Sequence, residues 1–70
     1  MNENKFSPRA EEALRLSQEA AGELGHGYVG TEHLLAGILR EGNNMAVRIL
    51  RTAGVDARHL YTALMQKLGE

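Results

Sequence analysis

Four consecutive residues, Gly30, Thr31, Glu32 and His33, carry the groups that could hold a ligand with charges of both signs. They lie between a glycine-rich stretch and an apolar run, so they are predicted to begin a helix. The free N–H groups of that helix end, with the Thr31 hydroxyl, can hold an anion, and the Glu32 carboxylate can hold a guanidinium. The plainer alternative stays open, in which Thr31 only caps the helix and Glu32 only complements its dipole.

Three histidines, His26, His33 and His59, raise the question of a metal site. No two of them have the i, i+4 spacing that places two imidazoles on one helix face, and the chain has no cysteine. We interpret His26 as a turn residue that bonds to the backbone and His33 as a residue of the first helical turn. The sequence predicts no metal and no cofactor.

Nucleophilic catalysis would require a serine, a histidine and an orienting carboxylate to converge in a cleft. Ser7, Ser17 and Asp56 are present, but a short helical unit offers little room for such a cleft. The chain also lacks the G-x-x-x-x-G-K-[ST] phosphate loop of an ATPase. We therefore predict a protein without enzymatic activity of its own.

Arg48 and Arg51 are three residues apart in a predicted third helix, which opens a DNA-binding interpretation with Met45–Ala53 as the recognition helix. The bases are few and the net charge is −1, which disfavours nucleic acid. A solvated face or a protein-docking face is the preferred interpretation. Phe6 and Arg9 are grouped with these arginines as a candidate partner surface.

Start and stop signals divide the chain into four to five short helices without any strand pattern, which predicts an all-α fold. Residues 1–5 are polar and are predicted to be a disordered tail, and residues 6–70 to be a single domain. The start signals are Ser7-Pro8, Thr31, Asn43 or Asn44, and Asp56; the stop signals are Gly25, Gly42, Gly54 and Gly69.

The central helix is predicted to be buried along its body by the other helices, with its N-terminal end presented outward, because residues 34–39 are six consecutive residues without a polar side chain. Gly37 within this run costs a helix about 1 kcal/mol relative to alanine. We expect the compensation to be the close approach of another helix backbone. Tyr28 and Val29 are expected to tuck under the start of this helix.

The third and fourth helices are each predicted to present one apolar stripe to the core. The stripe of the third helix is Met45, Ala46, Ile49, Leu50 and Ala53, and that of the fourth is Leu60, Leu64, Met65 and Leu68.

Length and composition limit the remaining possibilities. A chain of 70 residues forms one domain, and near this size it buries only ~60 % of its unfolded surface. No apolar run is long enough to cross a bilayer, and no apolar signal segment opens the chain. We therefore expect a cytoplasmic protein that does not bind membranes.

Several segments closely resemble the Clp N-terminal repeat of Clp-family AAA+ unfoldases, with ClpC-like proteins the most similar. The segments are FSPRAEEAL (Phe6–Leu14), LGHGYVGTEHLLAGILREG (Leu24–Gly42), Ala46–Leu50 and Ala53–Val55. The resemblance implies one half of a double-repeat helical domain. It also implies a module that binds protein substrates or adaptors for the Clp unfoldase and protease machinery. Thr31 and Glu32 match the pair that receives phosphoarginine in such domains, so Gly30 to His33 become the expected ligand site.

This chain holds one repeat where the family domain holds two. The surface that would face a second repeat is then uncovered, and exposed apolar area of this kind usually finds a partner. Two copies could pair about a two-fold axis and replace the missing repeat. An alternative that stays open is a stand-alone dimeric regulator that competes with complete unfoldases for Clp adaptors.

Overall fold

Four α-helices and no strand make up residues 5–70, the part of the chain that the computed structural model describes. The helices are α1 (Pro8–Glu23), α2 (Thr31–Glu41), α3 (Met45–Thr52) and α4 (Ala57–Leu68). The predicted all-α fold is confirmed. Except for Lys5, which is not helical, the predicted tail lies outside the described residues.

Side chains of the predicted start signals cap three of the helices. The Ser7 hydroxyl accepts a hydrogen bond from the Ala10 N–H at 3.2 Å at the start of α1. Asn44, rather than Asn43, accepts from the Val47 N–H at 2.9 Å and so caps α3. The Asp56 carboxylate accepts from two backbone N–H groups at the start of α4. Each cap satisfies helix N–H groups that otherwise lack a partner.

Three of the four predicted glycine stops produce tight left-handed turns, whereas Gly69 at the end of α4 has φ of −84°. Gly25 and Gly54 have φ of 76° and 85°, and Gly42 at the end of α2 has φ of 75°. After α1 the chain closes a Schellman motif, in which the His26 N–H donates to the Ala21 carbonyl at 2.9 Å. Such turns reverse the chain within a few residues, so α1 and α2 lie against each other.

The contact between α1 and α2 is built from small residues. A methyl group added at Gly37 would overlap the Ala13 carbonyl oxygen and lie 2.8 Å from the Ser17 nitrogen. The two backbones therefore approach as closely at Gly37 as its position in the apolar run predicts. The other buried small residues of the two helices are Ala20, Ala21 and Ala36.

A second contact joins α2, α3 and α4 through larger apolar side chains. Its centre is formed by Leu39, Val47 and Ala57, which are all buried. Partly buried side chains surround this centre: Leu35, Ile38, Leu50, Leu60, Tyr61 and Leu64. The inward positions predicted for Leu60 and Leu64 of α4 are confirmed.

The apolar stripe predicted for α3 is wrong for Met45 and Ile49. Met45 and Ile49 leave 62 % and 61 % of their surface exposed, whereas Val47, which the stripe omits, is fully buried. Leu50, which belongs to the predicted stripe, does pack against the core, and together with Val47 it sets the orientation of this eight-residue helix. One face of α3 consequently presents two large apolar side chains to solvent.

Two expectations for the central helix also need correction. Leu34, the first residue of the apolar run, is 36 % exposed, so the other helices do not cover all six residues of that run. Tyr28 and Val29 are exposed as well, and neither tucks under the start of α2. The space there is filled by His33, which has no exposed surface.

Candidate ligand site at the N-terminus of α2

Helix α2 begins at Thr31, one residue earlier than it would if Thr31 were its N-cap. Gly30 is the N-cap, with extended backbone angles, and its carbonyl accepts from the N–H groups of His33 and Leu34, both at 3.0 Å. Thr31 is the first helical residue and is exposed. The expectation that Thr31 caps the helix is therefore wrong, because the backbone already turns into the helix at Gly30.

His33 supplies the side-chain cap instead. Its Nδ1 accepts a hydrogen bond from the Gly30 N–H at 2.8 Å. This is one half of a capping box, in which the third helical residue reaches back to the N-cap. The spacing Gly30-x-x-His33 is visible in the sequence, so it was the signal from which this role could have been inferred.

The His33 ring also contacts His26, which lies in the connector between α1 and α2. His26 Nδ1 and His33 Nε2 are 2.7 Å apart, and the two rings meet edge to face with centroids 5.0 Å apart. His26 does take part in the turn through its backbone N–H. Its imidazole, however, bonds to another imidazole rather than to backbone, which corrects the prediction.

Tyr28 covers the two imidazoles from outside. Its ring is stacked on that of His26, with centroids 5.6 Å apart, and meets the ring of His33 edge to face at 5.1 Å. Its hydroxyl donates to Glu32 Oε2 at 3.2 Å. Tyr28 thus links the histidine pair to the carboxylate, a role that sequence analysis missed.

The Glu32 carboxylate folds back over the start of the helix. A methyl group added at Gly30 would lie only 2.6 Å from Glu32 Oε1. A hydrogen bond from its own backbone N–H, supported by the Tyr28 hydroxyl, lowers the pKa of the Glu32 carboxyl, and desolvation opposes this. The carboxylate in turn raises the pKa of the Tyr28 hydroxyl.

This geometry combines an ionised carboxylate, an aromatic ring and a helix N-terminus within one surface site. The Glu32 side chain is 33 % exposed, so a cation can approach it from solvent. The carboxylate also accepts a hydrogen bond from the Glu32 backbone N–H, one of the helix N–H groups that were expected to bind an anion. An anionic group must therefore use the neighbouring Thr31 N–H and hydroxyl, or displace Glu32 from the backbone.

The residues predicted to form a partner surface are separated into two groups. Arg9 forms an ion pair with Glu41 at 3.2 Å and lines a cavity of about 370 Å³ between α1, α2 and the start of α3. Arg48 and Arg51 are exposed on α3 and do not line that cavity. Phe6 is 59 % exposed just before α1.

Arg40 connects three helices. It donates from Nε to the Tyr61 hydroxyl of α4 at 2.9 Å and from Nη2 to Glu23 of α1 at 2.8 Å. Its guanidinium also lies 5.5 Å from the centre of the Tyr61 ring. Glu23, and then Tyr61, raise the pKa of Arg40, while partial burial opposes them.

Within residues 5–70, no group of three or more His, Asp or Glu side chains could hold a metal ion. Over the same residues, the structure contains no helix with the length and apolar character required to cross a membrane.

The fold and the site define a small all-helical domain with polar groups gathered at one helix end. The family model for the Clp repeat (R) N-terminal domain matches residues 5–70. The chain belongs to this family, as its resemblance to the Clp N-terminal repeat predicts.

Curated relatives agree with this assignment. The chain is 49 % identical over 65 residues to the chloroplastic chaperone protein ClpC of Pisum sativum, covering 93 % of this chain and 7 % of that protein. It is also 49 % identical over 65 residues to the ClpA homolog of Porphyra purpurea, an ATP-binding subunit of the ATP-dependent Clp protease, covering 93 % and 8 %. The 70 residues therefore correspond to a small part of each relative's length.

Proposed function

We propose that this chain is a non-enzymatic module that binds protein substrates or adaptors for a Clp-type unfoldase. Its support is membership of the Clp repeat N-terminal domain family together with identity near one half to ClpC and ClpA-type proteins. These 70 residues carry no phosphate-binding loop, so the proposal assigns them binding and not ATP hydrolysis. In this proposal the module binds the protein substrate or adaptor, and the unfoldase carries out the ATP-driven unfolding.

The ligand that fits the α2 N-terminus best is a phosphoarginine side chain on a marked protein. The observation that carries this proposal is the Glu32 carboxylate, which folds back beside Gly30 and accepts from its own backbone N–H, one residue after Thr31 at the start of α2. The guanidinium end of the ligand pairs with Glu32, and the phosphoryl end receives hydrogen bonds from Thr31. Tyr28 provides an aromatic face beside the cation.

A titration with free phosphoarginine, followed by two-dimensional amide NMR, tests this proposal. We expect the amide signals of residues 28–34 to change their chemical shifts and to reach a plateau as phosphoarginine is added. Glu32→Gln should abolish these changes, since it keeps the shape of the side chain and removes its charge. Gly30→Ala should weaken them, because its methyl group displaces the Glu32 carboxylate without removing it. Glu12→Gln, which changes an exposed carboxylate of α1 paired with Arg15, serves as the matched control.

Arginine and inorganic phosphate are titrated separately to distinguish recognition of the whole ligand from recognition of one half. Saturable shifts with arginine alone would reduce the site to a guanidinium site. The protein must retain its helical circular dichroism. If it then shows no amide shift changes with any of the three ligands, the α2 N-terminus is not a binding site for phosphoarginine.

Protein docking is proposed on two separate patches, Phe6 with Arg9 at the start of α1 and Arg48 with Arg51 on α3, with a second copy of the chain as one candidate partner of the α3 patch. The exposed Met45 and Ile49 of α3 support an apolar contact beside these arginines. Sedimentation velocity over a wide concentration range tests the homodimer. We expect a dimer that Ile49→Ser dissociates; a monomer at every concentration would leave the surface to adaptors and would exclude a stand-alone dimeric regulator.

A further inference from the structure

The hydrogen bonds at the start of α2 determine where the protons of two histidines lie. The Gly30 backbone N–H can only donate, so His33 Nδ1, 2.8 Å away, must carry a lone pair. Neutral His33 then has its proton on Nε2, which donates to His26 Nδ1 at 2.7 Å. Neutral His26 must in turn have its proton on Nε2. Both tautomers are thus set by a single backbone group.

A further proton on either ring breaks one of these bonds. If His26 takes it on Nδ1, that N–H faces the N–H of His33 Nε2. If His33 takes it on Nδ1, that N–H faces the N–H of Gly30. The His33 ring could avoid the first conflict by moving its own proton to Nδ1, but this would also end the bond from Gly30.

Among the described residues, Glu32 is the carboxylate placed to pair with an added charge on His33. Glu32 is the nearest carboxylate, with Oε2 3.9 Å from His33 Nδ1, and Tyr28 stacks on His26. The buried side chains of α1, the helix packed on α2, carry no charge: Ala13, Ser17, Ala20 and Ala21. A protonated His33 would therefore turn toward Glu32 and draw that carboxylate away from its present position.

We propose that His26 and His33 form a proton-sensitive latch that positions Gly30 and Glu32 while both rings are neutral and releases them when either ring is protonated. His26 and His33 are positioning residues, since they act on the site through Gly30, Tyr28 and Glu32. The consequence for ligand affinity rests on the function proposed above, whereas the latch itself does not.

Imidazole ¹⁵N spectra of the ligand-free chain test the latch directly. At neutral pH we expect both His26 and His33 to carry the proton on Nε2 with Nδ1 unprotonated. On acidification the Gly30 amide signal should move together with the ring signals of this pair. The exposed His59 of α4 is the internal control, and its titration should leave Gly30 unaffected. A proton on Nδ1 of His33 at neutral pH would overturn the proposal. A Gly30 amide shift that stays constant while both rings are protonated would overturn it as well.

Two substitutions of His26 separate the hydrogen bond from packing. His26→Asn places an amide oxygen near the position of Nδ1 and can still accept from His33. His26→Phe keeps the stacking on Tyr28 but leaves the buried His33 N–H without an acceptor. We expect His26→Asn to retain the Gly30 amide shift of the parent protein and His26→Phe to lose it. Equal Gly30 shifts in the two variants would refute the positioning role.

Phosphoarginine titrations of the same variants distinguish the latch from the proposed function. If the ligand binds, His26→Phe should weaken binding about tenfold at neutral pH and His26→Asn should not, since a buried donor without a partner disfavours the latched state. Binding with the same affinity in all three proteins would overturn the coupling. Absence of binding in all three, with the expected ring and Gly30 signals, would support the latch and reject phosphoarginine as the ligand.

Discussion

Gly37 of α2 lies directly against Ser17 of α1, so closely that a methyl group at Gly37 would be 2.8 Å from the Ser17 nitrogen and 2.9 Å from its Cβ. Ser17 is itself buried, and its hydroxyl donates to the Leu14 carbonyl at 2.6 Å within its own helix. The hydroxyl is thus satisfied without reaching across the contact. The two helices pack closely at this point because Gly37 has no side chain to separate their backbones.

Gly37→Ala should destabilise the fold even though alanine favours helices. The methyl group must push α1 away at Ala13 and Ser17, and such overpacking costs about 1 to 3 kcal/mol. Gly22→Ala is the matched control, since Gly22 also lies in a helix and a methyl group there meets nothing within 4 Å. It should stabilise the protein by about 0.5 to 1 kcal/mol. Urea unfolding of both variants measures the difference, and equal effects would contradict the close contact.

Asn44→Asp should destabilise the protein although Asp and Asn are equally good helix caps. The Asn44 side-chain amide donates to the Ile38 carbonyl at 3.0 Å and to Glu41 at 2.7 Å, so it ties the end of α2 to the start of α3. A carboxylate there loses both donors, and we expect a loss of about 1 to 2 kcal/mol. Asp56→Asn, which keeps an oxygen for the α4 cap, should change the thermal midpoint little. Similar losses in the two variants would show that Asn44 acts only as a cap.

Arg40 and Tyr61 should be energetically coupled. Arg40→Met and Tyr61→Phe each remove the hydrogen bond from the Arg40 guanidinium of α2 to the Tyr61 hydroxyl of α4. In a double-mutant cycle we expect a coupling free energy of about 0.5 to 1.5 kcal/mol. Arg15→Met removes an arginine that bonds only to Glu12 and Glu19 of its own exposed helix face and should have a much smaller effect. Additive effects of Arg40→Met and Tyr61→Phe would exclude the coupling.

The ionised Glu41 carboxyl should stabilise the fold at neutral pH and cease to do so in acid. The Asn44 amide, followed by the Asn43 N–H and Arg9, lowers the pKa of Glu41. A carboxyl with a lower pKa in the folded state contributes stability above its unfolded-state pKa and loses it as the pH falls through the folded value. Glu41→Gln should therefore lower the urea midpoint at about pH 7 and have little effect at about pH 3. A difference that persists in acid would assign the effect to shape rather than charge.

The helices and their limits could be predicted because local chemistry determines them. Ser7, Asn44 and Asp56 cap helices in the structure as their side chains and positions predict. The close approach at Gly37 could also be predicted, since a glycine inside an apolar helix weakens the helix unless its small size is used. These inferences need only a few neighbouring residues.

The face of α3 and the histidine pair could not be predicted in the same way. The apolar pattern of α3 does favour one side of the helix, but α3 docks through Val47 and Leu50 and leaves Met45 and Ile49 exposed. His26 reaches His33 only because the turn after α1 directs the connector back onto α2. Both outcomes depend on the path of the whole chain.

The alanine-rich contact between α1 and α2 has a consequence for heat capacity. Methyl groups, a glycine and a serine bury little apolar area there, whereas the Leu39 and Val47 cluster between α2, α3 and α4 buries larger aliphatic side chains. The heat-capacity change of unfolding follows the apolar area that becomes hydrated, so it originates mainly in that cluster. Cooling weakens apolar burial and should loosen α3 and α4 before it loosens the α1–α2 pair.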